Sequence, residues 1–108
     1  MAGMLALLIA MLDYKVTQCH NSFEALNRIR NASIDLLLSD FEMPDMNGLE
    51  LAAQLRKEGH TFPIILMSGQ IRAIDHAQAE RLGVSMILEK PFDLATIRTA
   101  LTVVFKHA

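Results

Sequence analysis

Three residues carry side chains suited to handling a phosphoryl group, and each closes a largely apolar run. Asp40 follows Leu36, Leu37, Leu38 and Ser39; Ser68 follows Ile64, Ile65, Leu66 and Met67; Lys90 follows the run from Val84 to Leu88, one residue beyond it. A carboxylate can accept a phosphoryl group as an acyl phosphate. A hydroxyl and an ammonium can then hold its oxygens, the first by a hydrogen bond and the second by charge as well. Taken singly, each residue has an ordinary explanation. Aspartate favours turns, a serine before Gly69 is a turn residue, and a lysine before Pro91 is a solvated chain. Their joint placement at three successive run ends is what points to chemistry.

The elements must bring these ends together. Residues 34–39 run without alternation, as a strand covered on both faces does. Residues 40–48 form a loop punctuated by Pro44 and Gly48. Asn47 and Glu50 then make a capping box before a helix with Leu49, Leu51, Ala52 and Leu55, which Gly59 stops. Pro63 opens the next apolar run, residues 64–67. A helical pattern over 71–82 halts at Gly83, a short strand covers 84–88, and Asp93 caps a last helix. That helix sets Leu94, Ile97, Leu101, Val104 and Phe105 on one side. Upstream, residues 15–19 give a weak strand signal. Asn21 and Glu24 make a second capping box, opening a helix expected to bury Phe23, Leu26 and Ile29. Strand and helix therefore alternate four times from residue 15, the pattern of an open parallel α/β sheet with right-handed crossovers. Ligands in such sheets gather beyond the carboxyl ends of the strands. Asp40, Ser68 and Lys90 are thus expected at one edge. The uncharged stretch 1–12 reads as a core helix, apolar all round.

Composition narrows the function classes. At 108 residues the chain fits one domain, 1–108, with room for a single core. A net charge of -2 and ten scattered lysines and arginines supply no basic patch for nucleic acid. Cys19 is the only cysteine, which excludes an intrachain disulfide and a cysteine metal cluster and suits a reducing cytoplasm. Residues 1–12 lack a basic leader and a cleavage site and are too short to span a bilayer, so no membrane association is expected.

With these residues in view, the sequence resembles the receiver domains of response regulators. The most specific stretch is Leu36-Leu37-Leu38-Ser39-Asp40-Phe41-Glu42-Met43-Pro44-Asp45-Met46-Asn47-Gly48, which is similar to the family's phosphorylation-site pattern. Ile64-Ile65-Leu66-Met67-Ser68-Gly69 resembles its fourth strand with the switch hydroxyl, and Glu89-Lys90-Pro91-Phe92 its lysine-proline corner. The resemblance implies a three-layer flavodoxin-like fold and a place in a two-component phosphorelay, without enzymatic turnover, in the cytoplasm. It also implies that Asp40 takes a phosphoryl group from a histidine kinase or histidine phosphotransfer protein, that Lys90 pairs with it, and that Ser68 turns inward to bond it. Residues 71–88 would relay the change to a downstream effector protein. Mg2+ would be held by Asp40 and the backbone carbonyl of Glu42.

The departures shape further expectations. Family members begin with a strand and two adjacent acidic residues that hold the metal. Nothing before Met4 can supply them, and Asp13 lies after the first helix, at the wrong end. The domain is therefore expected to be truncated at its N-terminus, lacking the first strand, with Mg2+ weakened or lost. In the family that strand lies between the next two. Residues 15–19 and 34–39 must then pair with each other, stay open or recruit another chain, so a homodimer through the N-terminal region is a candidate. Ile87 stands where the family often has an aromatic, and the Glu42 side chain is placed either to repel phosphate or to compensate for the lost acids. The alternative is a phosphorylation-independent pseudo-receiver acting as a protein-interaction module. A haloacid-dehalogenase-like phosphatase would need a second aspartate where Glu42 stands, and a flavin site would need a Gly, Ser or Thr-rich phosphate loop.

Overall fold

A computed structural model describes residues 15–106; the helix expected over 1–12, and Asp13, lie outside them. Four strands and four helices alternate through this span. They are β1 Val16–Cys19, α1 Ser22–Asn31, β2 Leu36–Asp40, α2 Gly48–Lys57, β3 Ile64–Ser68, α3 His76–Arg81, β4 Val84–Glu89 and α4 Leu94–Lys106, with a 3-10 turn at Ile71–Ala73. All three strand pairings are parallel, in the order β1-β2-β3-β4. The flavodoxin-like α/β reading stands.

Of the three outcomes open to residues 15–19 and 34–39, the first is realised. β1 pairs with β2 from Val16 opposite Leu36 to Cys19 opposite Ser39, and β2 pairs in turn with β3. With a ladder on each side, β2 leaves no row of buried N–H and C=O groups unpaired, which would have cost about 1–3 kcal/mol per group. The pairing removes the open inner edges as a ground for self-association.

The uniform leucines of β2 divide between the two faces because successive side chains of a strand point oppositely. Leu36 and Leu38 join Ile65, Met67, Leu88, Ile97, Leu101 and Val104, on the side where α4 packs. Leu37 joins Ile64, Leu66, Ala25, Ile29, Leu51 and Leu55, on the side of α1 and α2. Both faces are covered, which is why the run shows no polar alternation.

Local signals set most boundaries as expected. Asn47 and Glu50 form both halves of the capping box, at 2.8 and 2.9 Å. Asn21 accepts from the Glu24 amide at 2.7 Å, whereas Glu24 reaches only the Asn21 side-chain amide. Asp93 accepts from the Thr96 amide. Gly59 and Gly83 take positive φ after α2 and α3, a conformation that costs glycine least.

Three expectations need correction. Phe23 is 79% exposed; Ile29 is buried as expected, Leu26 is half-buried, and Ser22 and Ala25 are buried beside them. Ala25 packs in one cluster with Cys19 and Ile29, and Ser22 bonds Asp45 in the loop after β2. Residues 71–82 are not one helix: Ile74 and Asp75 interrupt them, and the Asp75 side chain caps α3 afresh through the Gln78 amide. Leu94 stands at the rim of α4, 37% exposed, while Ala100 takes a core position.

Candidate functional site

Each strand delivers its last residue to one edge of the sheet. Asp40 ends β2 opposite Met67, and Ser68 ends β3 opposite Glu89. The β3–β4 register shifts once, between Ile64 and Ile65, and Lys90 follows directly beyond Glu89. Backbone bonds fix the three ends: the Phe41 amide donates to the Met67 carbonyl at 2.8 Å, and the Lys90 amide to the Ser68 carbonyl at 2.8 Å. The Lys90–Pro91 peptide is cis.

Asp40 is the centre of the cluster. Lys90 Nζ donates to its Oδ1 at 2.6 Å, and His20 Nδ1 lies 2.6 Å from its Oδ2. An ionised carboxylate only accepts hydrogen bonds, so the imidazole proton on this side belongs to Nδ1. Burial pushes the Asp40 carboxyl upward, but the hydrogen bonds and charges of Lys90 and His20 outweigh it and hold the group below the usual carboxylate range. The result is an ionised oxygen nucleophile, 13% exposed, between two nitrogen donors. Beside it opens a cavity of about 290 Å³ lined by Gln18, His20, Asp40, Met67, Lys90, Pro91 and Phe92.

Ser68 shares this edge but has a different partner. Its side chain is buried, donates to Glu42 Oε1 at 2.6 Å and accepts from the Gln70 amide at 2.9 Å. The Glu42 carboxylate holds this hydroxyl. The loop after β2 is tied down by a hydrogen bond from Ser22 Oγ to Asp45 and by Gly48 N to the Phe41 carbonyl at 2.7 Å. Gly48 lies so close that a Cβ would come within 2.8 Å of Leu66 Cδ2 and 3.1 Å of Phe41 Cα. Its role is close approach, beyond the punctuation read from the sequence.

Magnesium is the dication expected at Asp40 and the Glu42 carbonyl. A hard dication needs several oxygen ligands. Among the described residues no group of three or more His, Cys, Asp or Glu is placed to hold a metal ion. Both Asp40 oxygens already accept from nitrogen donors. The described residues do not fit Mg2+ by themselves. The sequence does not announce His20 at this edge, because it follows the strand with the weakest signal.

Comparisons with known proteins bear on this geometry. A family model described as response regulator receiver domain matches residues 1–102. The chain is 31% identical over 94 residues to the sensor histidine kinase RcsC of Escherichia coli K12, covering 87% of this chain and 10% of that protein. It thus spans about a tenth of the length of the curated relatives it matches. Among solved structures, it resembles the receiver domain of TorR, a TMAO respiratory system response regulator, with TM-score 0.80 and 26% identity over 98% of this chain and 88% of that one. The non-phosphorylated receiver domain of HemR from Leptospira biflexa gives TM-score 0.76 and 28% identity, over 95% of this chain and 86% of that one.

Proposed function

The chain belongs to the response regulator receiver domain family, and we propose that Asp40 is its phospho-acceptor, charged from a phosphohistidine. Receiver domains serve two-component phosphorelays and interact with histidine kinases and downstream effectors; the family is typically non-enzymatic and generally binds Mg2+ at an acidic site. In the step proposed, a lone pair of an Asp40 carboxylate oxygen forms the new O–P bond. The P–N bond of the partner's phosphohistidine breaks, and its electron pair stays on the imidazole nitrogen. Lys90 neutralises charge on the transferred oxygens, as an ammonium fixed at the attacking group can.

The observation that carries this reading is the Lys90–Asp40 contact at 2.6 Å, which joins ends of two non-adjacent strands across 50 residues of chain. A merely structural loop aspartate would have no need of it. Ser68 is the conformational element. Its hydroxyl leaves Glu42 for the phosphoryl group, and the segment from Gln70 to β4 carries the change to an effector protein. The domain acts in the cytoplasm as a phosphoryl acceptor and partner-binding module, with no direct nucleic-acid contact. Among the described residues no helix is long and apolar enough to cross a membrane. In a homodimer through the N-terminal region, β1 would offer at most its outer edge, since β2 occupies the inner one.

The test is transfer from a phosphorylated histidine phosphotransfer domain, followed by loss of label from the donor. The native chain should take the label and Asp40→Asn should not. Equal labelling of the two would overturn the assignment.

A further inference from the structure

We propose that His20 is a phosphoryl-binding residue of this site, so that a phosphoryl group on Asp40 is held between the His20 imidazole and the Lys90 ammonium, with no dication required. The inference rests on Asp40 being the phospho-acceptor. It adds a residue and a mode of charge neutralisation that this reading does not contain.

The geometry points to His20 in three ways. First, it follows β1, which flanks β2 on one side, while Lys90 follows β4 on the other side. The two donors therefore bracket the Asp40 carboxylate, each at 2.6 Å from a different oxygen. Second, both line the cavity into which a group bonded to Asp40 would project, together with Gln18 and the apolar Met67, Pro91 and Phe92. Apolar walls beside the charge lower the local dielectric and increase the effect of each donor aimed at it. Third, the described residues do not build an oxygen cage for a dication.

Phosphorylation redistributes charge in a way these donors can follow. With acetyl phosphate as donor, an Asp40 oxygen forms the O–P bond, and the P–O bond to the acetyl group breaks. Acetate leaves with the electron pair. Asp40 loses its carboxylate charge, and the negative charge at the site then resides on the phosphoryl oxygens. Those oxygens become the better acceptors for the two N–H donors. The His20 side chain is 60% exposed and that of Lys90 42%, so neither is locked by packing against a shift from carboxylate to phosphoryl oxygen. The Nδ1–H donates to either acceptor, whatever the state of Nε2.

A competing explanation is that His20 only ties the end of β1 to β2. Intact-mass measurement of the initial rate with acetyl phosphate separates the two, in chelator and in excess magnesium, for the native chain, His20→Ala and His20→Arg. Thermal melts of each variant report folding. The native chain should form the Asp40 adduct in chelator. His20→Ala should slow that metal-free rate by about tenfold or more, the scale on which loss of one aimed donor acts, and His20→Arg should restore most of it through its own N–H donors. Equal metal-free rates in the native chain and His20→Ala would overturn the proposal. So would a loss that Arg does not rescue and that tracks a lowered melting temperature. An Asp40 adduct that forms only with magnesium would overturn it too, while leaving the phospho-acceptor reading intact. Absence of any Asp40 adduct under both conditions would overturn both.

Discussion

Asp40 and Cys19 end neighbouring strands, and burial acts on both in the same direction, raising the pKa. Asp40 has two nitrogen donors on its oxygens and stays ionised. Cys19 is fully buried, its hydrogen bond with Ser39 offsets only part of the desolvation, and its thiol is pushed up to about 11. A thiolate, not a thiol, is the nucleophile. Cys19 should therefore resist a disulfide-exchange reagent at neutral pH in the folded chain and react promptly in denaturant. Rapid stoichiometric labelling of the native protein would contradict its placement. The same scale shows what the sequence could reveal. Asp40 and Lys90 were legible because residue type and strand-end position together imply their contact. The partner of Ser68 was not, because Glu42 reaches it across 26 residues of chain and nothing local records that hydrogen bond. His20 was readable in principle, as the residue after a strand, but the four-residue β1 was too short to give a firm end.

Two residues hold elements in the positions the site needs. Gly48 begins α2 against the backbone of Asp40 and Phe41. Gly48→Ala should move that loop or Leu66 and destabilise the domain by about 1–3 kcal/mol, the usual cost of overpacking. An unchanged denaturation midpoint would show that the approach is not tight. Arg56, on α2, donates to the carbonyls of His60, Phe62, Leu82 and Gly83, at 2.7 to 3.1 Å. One guanidinium thus ties α2 to the segments entering β3 and β4. Arg56→Ala should cost about 2–3 kcal/mol through carbonyls left poorly satisfied, with Arg56→Lys recovering only part because an ammonium lacks the planar fork. Chemical denaturation of both variants checks this; a Lys variant as stable as the native chain would count against it. Caps and glycines announced most helix ends because their chemistry is local. The sequence of α1 offers two stripes that share Ile29, and only contact with the sheet leaves Phe23 outside.

At the scale of the whole molecule, parallel ladders bring distant strand ends to one edge, and folding holds four of the described carboxyls below their ordinary values. Asp40 is held low by Lys90 and His20 against burial, Asp45 by Ser22, Glu58 by Gln54 and Arg30, and Asp93 by Thr96. Their folded values lie below the ordinary ones of 3.8 for Asp and 4.5 for Glu. Folding therefore favours the ionised forms. That stabilisation is whole above the ordinary values and is lost as pH falls through them toward the folded values. The melting temperature should hold level through mildly acidic pH and decline below about 4.5, where these groups begin to protonate in the unfolded chain; a melting temperature that rises on acidification through that range would contradict it. The central claim, that this edge of the sheet takes a phosphoryl group on Asp40, is most directly tested by trapping the adduct. Borohydride reduces an acyl phosphate to an alcohol and leaves free carboxylates untouched. After incubation with acetyl phosphate and magnesium, reduction and peptide mapping should find the alcohol at residue 40 and nowhere else. An unmodified Asp40, or reduction at another acidic residue, would contradict the account.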